Sequence, residues 1–412
     1  MPVGGLPECW PRRARLFRTG APTPTPTPTP APGGFAFGPY KDITVNMNWN
    51  TNVLSTKLSG SLQALLNVLP AKLNTVTSTG ASPTSSIEAV RRTAFMRRNP
   101  MKNTVIVILL GALISVYASA HAAPAFVAGP YQYLPLTGGA AHLIPHGTST
   151  WAFASGECGE EVWRHQPGQQ VADSNVAAFV KAGKPYIIST GGADHKFTCA
   201  GGAGMERFIG RYDSAQLVGI DFDIEDGQSA EQVDALMAAI KDAQRRRPAL
   251  RYSFTLATHA AGDGSRRSLN PLGESILAAI ERHGVRDAVL NLMVMDYGPA
   301  APDACVVKDG ACDMGRSALQ AARNVHAKYG VPYERIALTA MIGMNDVVSN
   351  VFSSADARTM VEGAHALGLA GVHYWSLGRD KPCGKTMTAA SDACSGVDEA
   401  AGAFDAILSR HR

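Results

Sequence analysis

From residue 149 onward the chain alternates between short apolar runs and longer segments whose apolar residues recur every three or four positions. The short runs predict buried strands, and the longer spacing predicts helices that bury one face. Strands are expected at 149–154, 185–190, 217–223, 251–257, 288–295, 335–342 and 370–375. Helices are expected between them, near 174–182, 204–214, 230–246, 272–283, 316–328 and 354–367, with a closing helix at 397–410. An eighth strand can come from 42–49 or from 126–134. Ile43, Val45 and Met47 alternate with polar residues, which favours 42–49 as the first strand. Alternation of this count predicts an α/β fold, a (β/α)8 TIM barrel, with its chemistry at the C-terminal ends of the strands.

The stretch Leu-Val-Gly-Ile-Asp-Phe-Asp-Ile-Glu, 217–225, stands out within this pattern. Side chains alternate along a strand, so Asp221, Asp223 and Glu225 share one face while Phe222 and Ile224 point into an apolar layer. Three carboxylates on one face repel one another, and stability alone gives no reason to collect them. Crowding drives their pKa values apart, which lets one hold a proton while its neighbour stays charged. A solvated edge strand would also be polar on one face, but the barrel pattern on both sides favours the chemical reading.

Other strands end in residues of compatible chemistry. Ser189, Gly191 and Gly192 end the third strand, where small residues allow close approach. Met295, Asp296 and Tyr297 end the sixth, Asn345 and Asp346 follow the seventh, and Trp375 ends the eighth. An indole face, a phenol and several acids at one rim suit a sugar ring, which stacks through its C–H face and hydrogen-bonds at its edge. Each of these has a structural explanation alone: Trp375 in a core, Tyr297 as a capped core hydroxyl, Asn345 and Asp346 in a turn.

The upstream part reads differently. Residues 1–34 are an unstructured N-terminus with a Pro/Thr linker at 21–32, too poor in apolar residues to build a core. Residues 101–123 combine Met-Lys-Asn, an apolar run from 104 to 117 and a small-residue end, the pattern of a secretory signal peptide with Met101 as the true start. A membrane anchor flanked by Arg91, Arg92, Arg97 and Arg98 is the alternative, but the apolar run is short for a span. The signal-peptide reading implies a secreted protein with no stable membrane association after processing. Gly-Pro-Tyr occurs at both 38–40 and 129–131, as though two openings of one domain were present. The formal charge is +4, with much of the excess before residue 103, and gives no case for nucleic-acid binding. Of seven cysteines, Cys9 stands alone and six follow residue 150. No Cys-x-x-Cys occurs, which argues against a zinc or redox site. Adjacency suggests three disulfides, Cys158–Cys199, Cys305–Cys312 and Cys383–Cys394, as suits an exported protein.

With these motifs in order, residues 149–412 resemble a bacterial chitinase of glycoside hydrolase family 18, and 35–79 resemble the start of the same domain. The family signature Asp-x-x-Asp-x-Asp-x-Glu is matched at Asp221, Asp223 and Glu225, while its first acid is replaced by Val218, expected deep in the barrel beneath the chemistry. Ser-x-Gly-Gly matches at Ser189, Gly191 and Gly192, and Met-x-Tyr-Asp at Met295 and Tyr297, with Gly298 in the Asp position. Trp375 matches the terminal Trp. The resemblance implies domains at 35–100 (a fused or mis-assigned opening) and 124–412 (the catalytic barrel). It implies hydrolysis of β-1,4 linkages between N-acetylglucosamine units, with retention and with the substrate's own acetamido group as nucleophile. Glu225 would be the general acid/base, so its pKa would have to be raised. Asp223 would orient the acetamido N–H, Asp221 would hold Asp223, Tyr297 would bind the acetamido oxygen and Trp375 would form the floor. Met295, Asp296, Ser189, Gly191, Gly192 and Asn345 would line the substrate. No metal or cofactor is implied, the partners would be chitin or its oligosaccharides, and a monomer is expected. An endo-β-N-acetylglucosaminidase acting on glycoprotein glycans, or a chitin-binding protein on the same fold, are the competing readings.

Overall fold

A computed structural model of the chain describes residues 126–133, 145–225 and 227–409. Eight parallel strands close into a barrel in chain order. They are β1 (Val127–Tyr133), β2 (Ser149–Ala154), β3 (Tyr186–Gly191), β4 (Leu217–Asp223), β5 (Arg251–Ala257), β6 (Val289–Met293), β7 (Ile336–Met341) and β8 (Gly371–Trp375). From β2 onward each strand leads into a helix: α1 (Gly168–Ala182), α2 (Gly202–Arg211), α3 (Ala230–Arg246), α4 (Pro271–His283), α5 (Met314–Tyr329), α6 (Ser354–Leu367) and the short α7 (Ala403–Leu408). The expected closing helix at 397–410 is thus reduced to its last turns. Two of the glycines in 396–402 have left-handed backbone, Gly402 immediately before α7, and delay its start.

The strands read as near-continuous apolar runs because both faces are covered, one by helices and one by the barrel interior. On the outer face Trp151 stacks on Tyr186, with ring centroids 4.3 Å apart, and meets Phe179 of α1 edge-on at 4.9 Å. Phe222 packs beside Phe254 at 5.5 Å. Local signals set the helix ends. Ser229 and Ser353 form capping boxes at the starts of α3 and α6, and α4 starts from an Asn270 cap with Pro271 in its first turn.

The first strand corrects the sequence expectation. The barrel closes through β1, which pairs with β8 through Val127–Gly371 and with β2 through Tyr131–Thr150. It therefore comes from the 126–134 candidate rather than from 42–49. Clean alternation marks a strand with one wet face, whereas a barrel strand is buried on both, and β1 is buried from Ala128 through Gln132. The segment 42–49, the helical stretch at 61–69, the Pro/Thr linker and the signal-like segment 101–123 lie outside the described residues. Among the described residues no helix is long and apolar enough to cross a membrane.

Three disulfides are present: Cys158–Cys199, Cys305–Cys312 and Cys383–Cys394. The first joins the loops after β2 and β3, and the others close the loops after β6 and β8. All three therefore constrain the C-terminal rim of the barrel. Because β1 supplies the closing strand, a chain beginning at residue 124 should melt cooperatively in calorimetry, within a few degrees of the full-length protein. A broad, non-cooperative transition would show that upstream residues are needed for closure.

Candidate active site

The barrel interior is polar at its centre, and Asp221 is the reason. Its carboxylate is 1% exposed and accepts hydrogen bonds from four hydroxyls. Tyr131 and Ser189 donate to Oδ2 at 2.9 and 2.7 Å, Ser253 donates to Oδ1 at 2.6 Å, and Thr255 reaches both oxygens at 2.9 and 3.0 Å. Burial pushes the Asp221 pKa up, and these four bonds pull it back down. The network continues outward. Asn291 donates to the Tyr131 and Thr255 oxygens at 3.0 and 2.9 Å, and Thr339 donates to Asn291 at 2.9 Å. Strand alternation aims these residues inward from β1, β3, β5, β6 and β7.

Two residues further along β4, Asp223 is buried and its pKa is raised well above the carboxylate range by burial, then by the charges of Glu225 and Asp221. Unlike Asp221, it has an oxygen to spare: Oδ1 is buried without a hydrogen-bond partner among the described residues. Glu225 lies just past the strand end and is half-buried. Beyond the end of β6 the Tyr297 hydroxyl is likewise buried without a partner among the described residues, and burial raises its pKa well above the usual phenol value. Buried polar atoms left unpaired cost about 1–3 kcal/mol each, and Asp223 and Tyr297 lie at or beyond the C-terminal ends of two barrel strands, β4 and β6.

Trp375 is half-buried at the end of β8. Phe153 stacks on it at 5.6 Å with 16° between the planes, and Tyr133 meets it edge-on at 6.3 Å. The Arg164 guanidinium caps Tyr133, 4.3 Å from the ring centroid, and its Nε donates to the phenol oxygen at 2.9 Å. With Tyr131 tilted against it at 6.3 Å, the indole is held by a wall of three aromatic rings.

Other expected site residues sit elsewhere. Ser189 is bonded to Asp221. Gly191 and Gly192 have left-handed backbone. A Cβ on Gly191 would come 2.1 Å from the Asp223 carbonyl oxygen, and one on Gly192 would come 2.8 Å from the Phe153 ring. These glycines let β3 close on β4 and on the aromatic wall. Met295 is half-buried. Asp296 and Asn345 are turned inward rather than toward a substrate. Asp296 Oδ1 accepts from the Val347 amide at 2.7 Å, its own amide donates to Asn345 Oδ1 at 3.3 Å, and Asn345 Nδ2 donates to the Met341 and Gly343 carbonyls at 2.8 and 3.1 Å. Together they staple the loop after β7 to the end of β6. Arg379, fully buried, clamps the neighbouring rim through the Ile342 and Met344 carbonyls at 2.9 and 2.6 Å and through the Ser391 carbonyl. Val218 is also displaced from its expected place. It is half-buried at a register shift between β3 and β4, where Tyr186 pairs with Leu217 but Ile187 with Gly219. The residue beneath Asp221 on the inner face is therefore Gly219, and Val218 removes no charge from the interior.

Tyr131, Ser253, Thr255, Asn291 and Phe153 are site residues that the sequence reading passed over. A signal existed for two of them: Ser253 and Thr255 alternate with Tyr252, Phe254 and Leu256 on a strand otherwise expected to be apolar throughout.

The described residues thus form a closed parallel barrel with acids at the C-terminal end of β4 and a half-buried tryptophan at the end of β8. In sequence and in fold the chain is similar to chitinases. It is 28% identical over 234 residues to a probable bifunctional chitinase/lysozyme of Escherichia coli (strain K12), covering 52% of this chain and 25% of that one. It is 28% identical over 239 residues to Endochitinase 11 of Metarhizium anisopliae, covering 53% and 44%. In both cases the match spans well under two thirds of the relative's length. The catalytic domain of a hyperthermophilic chitinase from Pyrococcus furiosus superposes with a TM-score of 0.55 at 26% identity, covering 69% of this chain and 94% of that domain. No family model matches the chain.

Two outcomes follow from this geometry. Tyr131→Phe removes one donor to the buried Asp221 charge and should lower stability by about 2 kcal/mol in urea unfolding. Asp296 has its pKa raised to about 6, chiefly by burial. A raised folded-state pKa gives stability that is present below the unfolded value and lost as pH rises through about 6. Asp296→Asn, which does not titrate, should therefore flatten the fall in Tm between about pH 4 and pH 6.

Proposed function

We propose that this protein is a secreted, monomeric chitinase that cleaves β-1,4 linkages between N-acetylglucosamine units with retention, using the substrate's acetamido group. The observation that carries this reading is the unused pair at the mouth. Asp223 Oδ1 is an acceptor and the Tyr297 hydroxyl a donor, both buried and without partners among the described residues. An acetamido group offers the complement, an N–H for Asp223 and a carbonyl oxygen for Tyr297. Trp375, backed by Phe153, supports a sugar ring from below. The three disulfides support an exported setting.

In the first step Glu225 gives its proton to the glycosidic oxygen. The C1–O bond breaks as the acetamido carbonyl oxygen bonds to C1, and the leaving sugar departs as an alcohol. Asp223, accepting from the acetamido N–H, stabilises the positive oxazolinium ion. Water then attacks C1 from the side the leaving group vacated. Glu225 takes a proton from that water, the ring opens, and the acetamido group is restored. C1 is displaced twice, so its configuration is retained, the substrate-assisted exception among glycosidases. Side chains, substrate and water balance both steps.

Glu225→Gln should lower hydrolysis of a chitin oligomer by about 10²–10⁴-fold with an unchanged Tm. Full activity in that variant would sink the mechanism. Assayed in parallel, a high-mannose glycoprotein should remain uncleaved. Its cleavage in place of chitin would assign the barrel to glycoprotein glycans, and binding without hydrolysis of either would make it a carbohydrate-binding protein.

A further inference from the structure

Below Asp221 the barrel floor holds a cation whose role the acid ladder does not explain. Arg251 opens β5, and alternation with Ser253 and Thr255, both bonded to Asp221, points it into the interior. Gly219 of β4 pairs with it in the ladder, and with no side chain there the arginine stem has room to enter. The residue is half-buried overall, but its Nε and Nη2 are sealed from solvent and have no hydrogen-bond partner among the described residues. One donor is used: Nη1 bonds the Ala370 carbonyl at 3.0 Å. A guanidinium buried with most of its donors idle costs several kcal/mol unless a charge offsets it.

The charges around it are few. Asp221 on β4 and Tyr131 on β1 act on Arg251 electrostatically, and His373 on β8 feels its charge. Asp223 and Glu225 continue the ladder above Asp221. From β3, β6 and β7 the groups facing Asp221 and its network are the neutral Ser189, Asn291 and Thr339. His373 is held neutral, its pKa pushed down to about 3 by burial and by Arg251. Among the described residues Arg251 is thus a cation that acts on Asp221 from the start of β5. Its own pKa falls only to about 10 despite burial, so it stays charged.

We infer that Arg251 is a positioning residue, a fixed counter-charge that keeps Asp221 ionised beneath Asp223 and so sets how the acid ladder shares its proton. Four hydroxyls offset part of the burial of Asp221 but carry no net charge, and Arg251 adds a positive charge that acts on it from the floor. This rests on the proposed hydrolysis for its catalytic consequence, but not for its electrostatic one, and the two are tested separately.

The experiment uses the full chain with Arg251→Met, which keeps the stem and removes the charge, and Arg251→Lys, which keeps the charge. The first readout needs no activity: Tm from pH 4 to pH 8. Without the cation the Asp221 pKa rises further, and a carboxyl with a raised folded pKa loses stability as pH climbs through it. The Tm difference between Arg251→Met and the parent should therefore grow more unfavourable from pH 4 to pH 7, whatever its value at pH 4. Arg251→Lys should follow the parent's slope. The second readout is the pH profile of kcat/KM on a chitin oligomer. Its acidic limb should move up by about one pH unit, the low end for a nearby opposite charge, in Arg251→Met and stay in place in Arg251→Lys. A Tm difference independent of pH, with an unmoved acidic limb, would make Arg251 a packing residue and overturn the proposal. A pH-dependent Tm difference in a protein with no hydrolytic activity would uphold the counter-charge and remove the proposed function instead.

Discussion

The structure is organised by the burial of one carboxylate. Asp221 lies inside the barrel at 1% exposure, where an ionised acid costs several kcal/mol unless it is hydrogen-bonded and offset by charge. Barrel interiors are usually filled by layers of branched apolar side chains. This one uses a phenol, five hydroxyl-bearing or amide residues and an arginine drawn from five strands, since a group in the middle of a barrel can be solvated only from the walls. Tyr131, Ser189, Ser253 and Thr255 come from three strands and meet on one carboxylate. The strand register that brings them together must hold to a fraction of an ångström, so the satisfied network also fixes the barrel.

The rim above follows the same logic with backbone in place of solvent. Asp296, Asn345 and Arg379 are buried polar side chains that tie the loops after β6, β7 and β8 to one another through backbone amides and carbonyls. Three disulfides constrain the loops after β2, β3, β6 and β8. Loops that carry chemistry need this support, because a donor displaced by one ångström is lost to the reaction. Trp375 is set in the same way, by Phe153 stacked on it and Tyr133 at its edge, with Arg164 covering the outermost ring.

How much of this was legible in the sequence depends on the range of the interaction. Strand and helix periodicity is local, so β2 to β8 and the helices after them are visible as patterns. The acids at 221, 223 and 225 are visible because strand alternation alone puts them on one face. The first strand was misplaced because alternation rewards a half-wet strand, and β1 is dry on both faces. Asp296 and Asn345 looked like substrate contacts because both follow barrel strands, but the backbone amides and carbonyls that use up their side chains belong to other loops. Tyr131 and Arg251 show the same limit from the other side. Nothing local distinguishes a phenol or guanidinium that turns into a barrel from one that faces water, and only closure decides it.

The division of labour along β4 then follows from which atoms are already spent. Asp221 has both oxygens occupied by hydroxyls, so it can bias a neighbour's proton but has none of its bonds to offer a ligand. Asp223, one layer nearer the mouth, has passed beyond the reach of those hydroxyls and keeps an oxygen unpaired. Glu225, another step out, is half-buried just past the strand end. From Asp221 to Glu225, five residues that run from β4 to just past its end, the acids grade from fully satisfied to partly satisfied to half-exposed. That gradient is what supports the separate roles proposed for these chemically similar side chains. Tyr297, reaching the same mouth from beyond β6 with its hydroxyl unpaired, supplies the one donor the acids cannot.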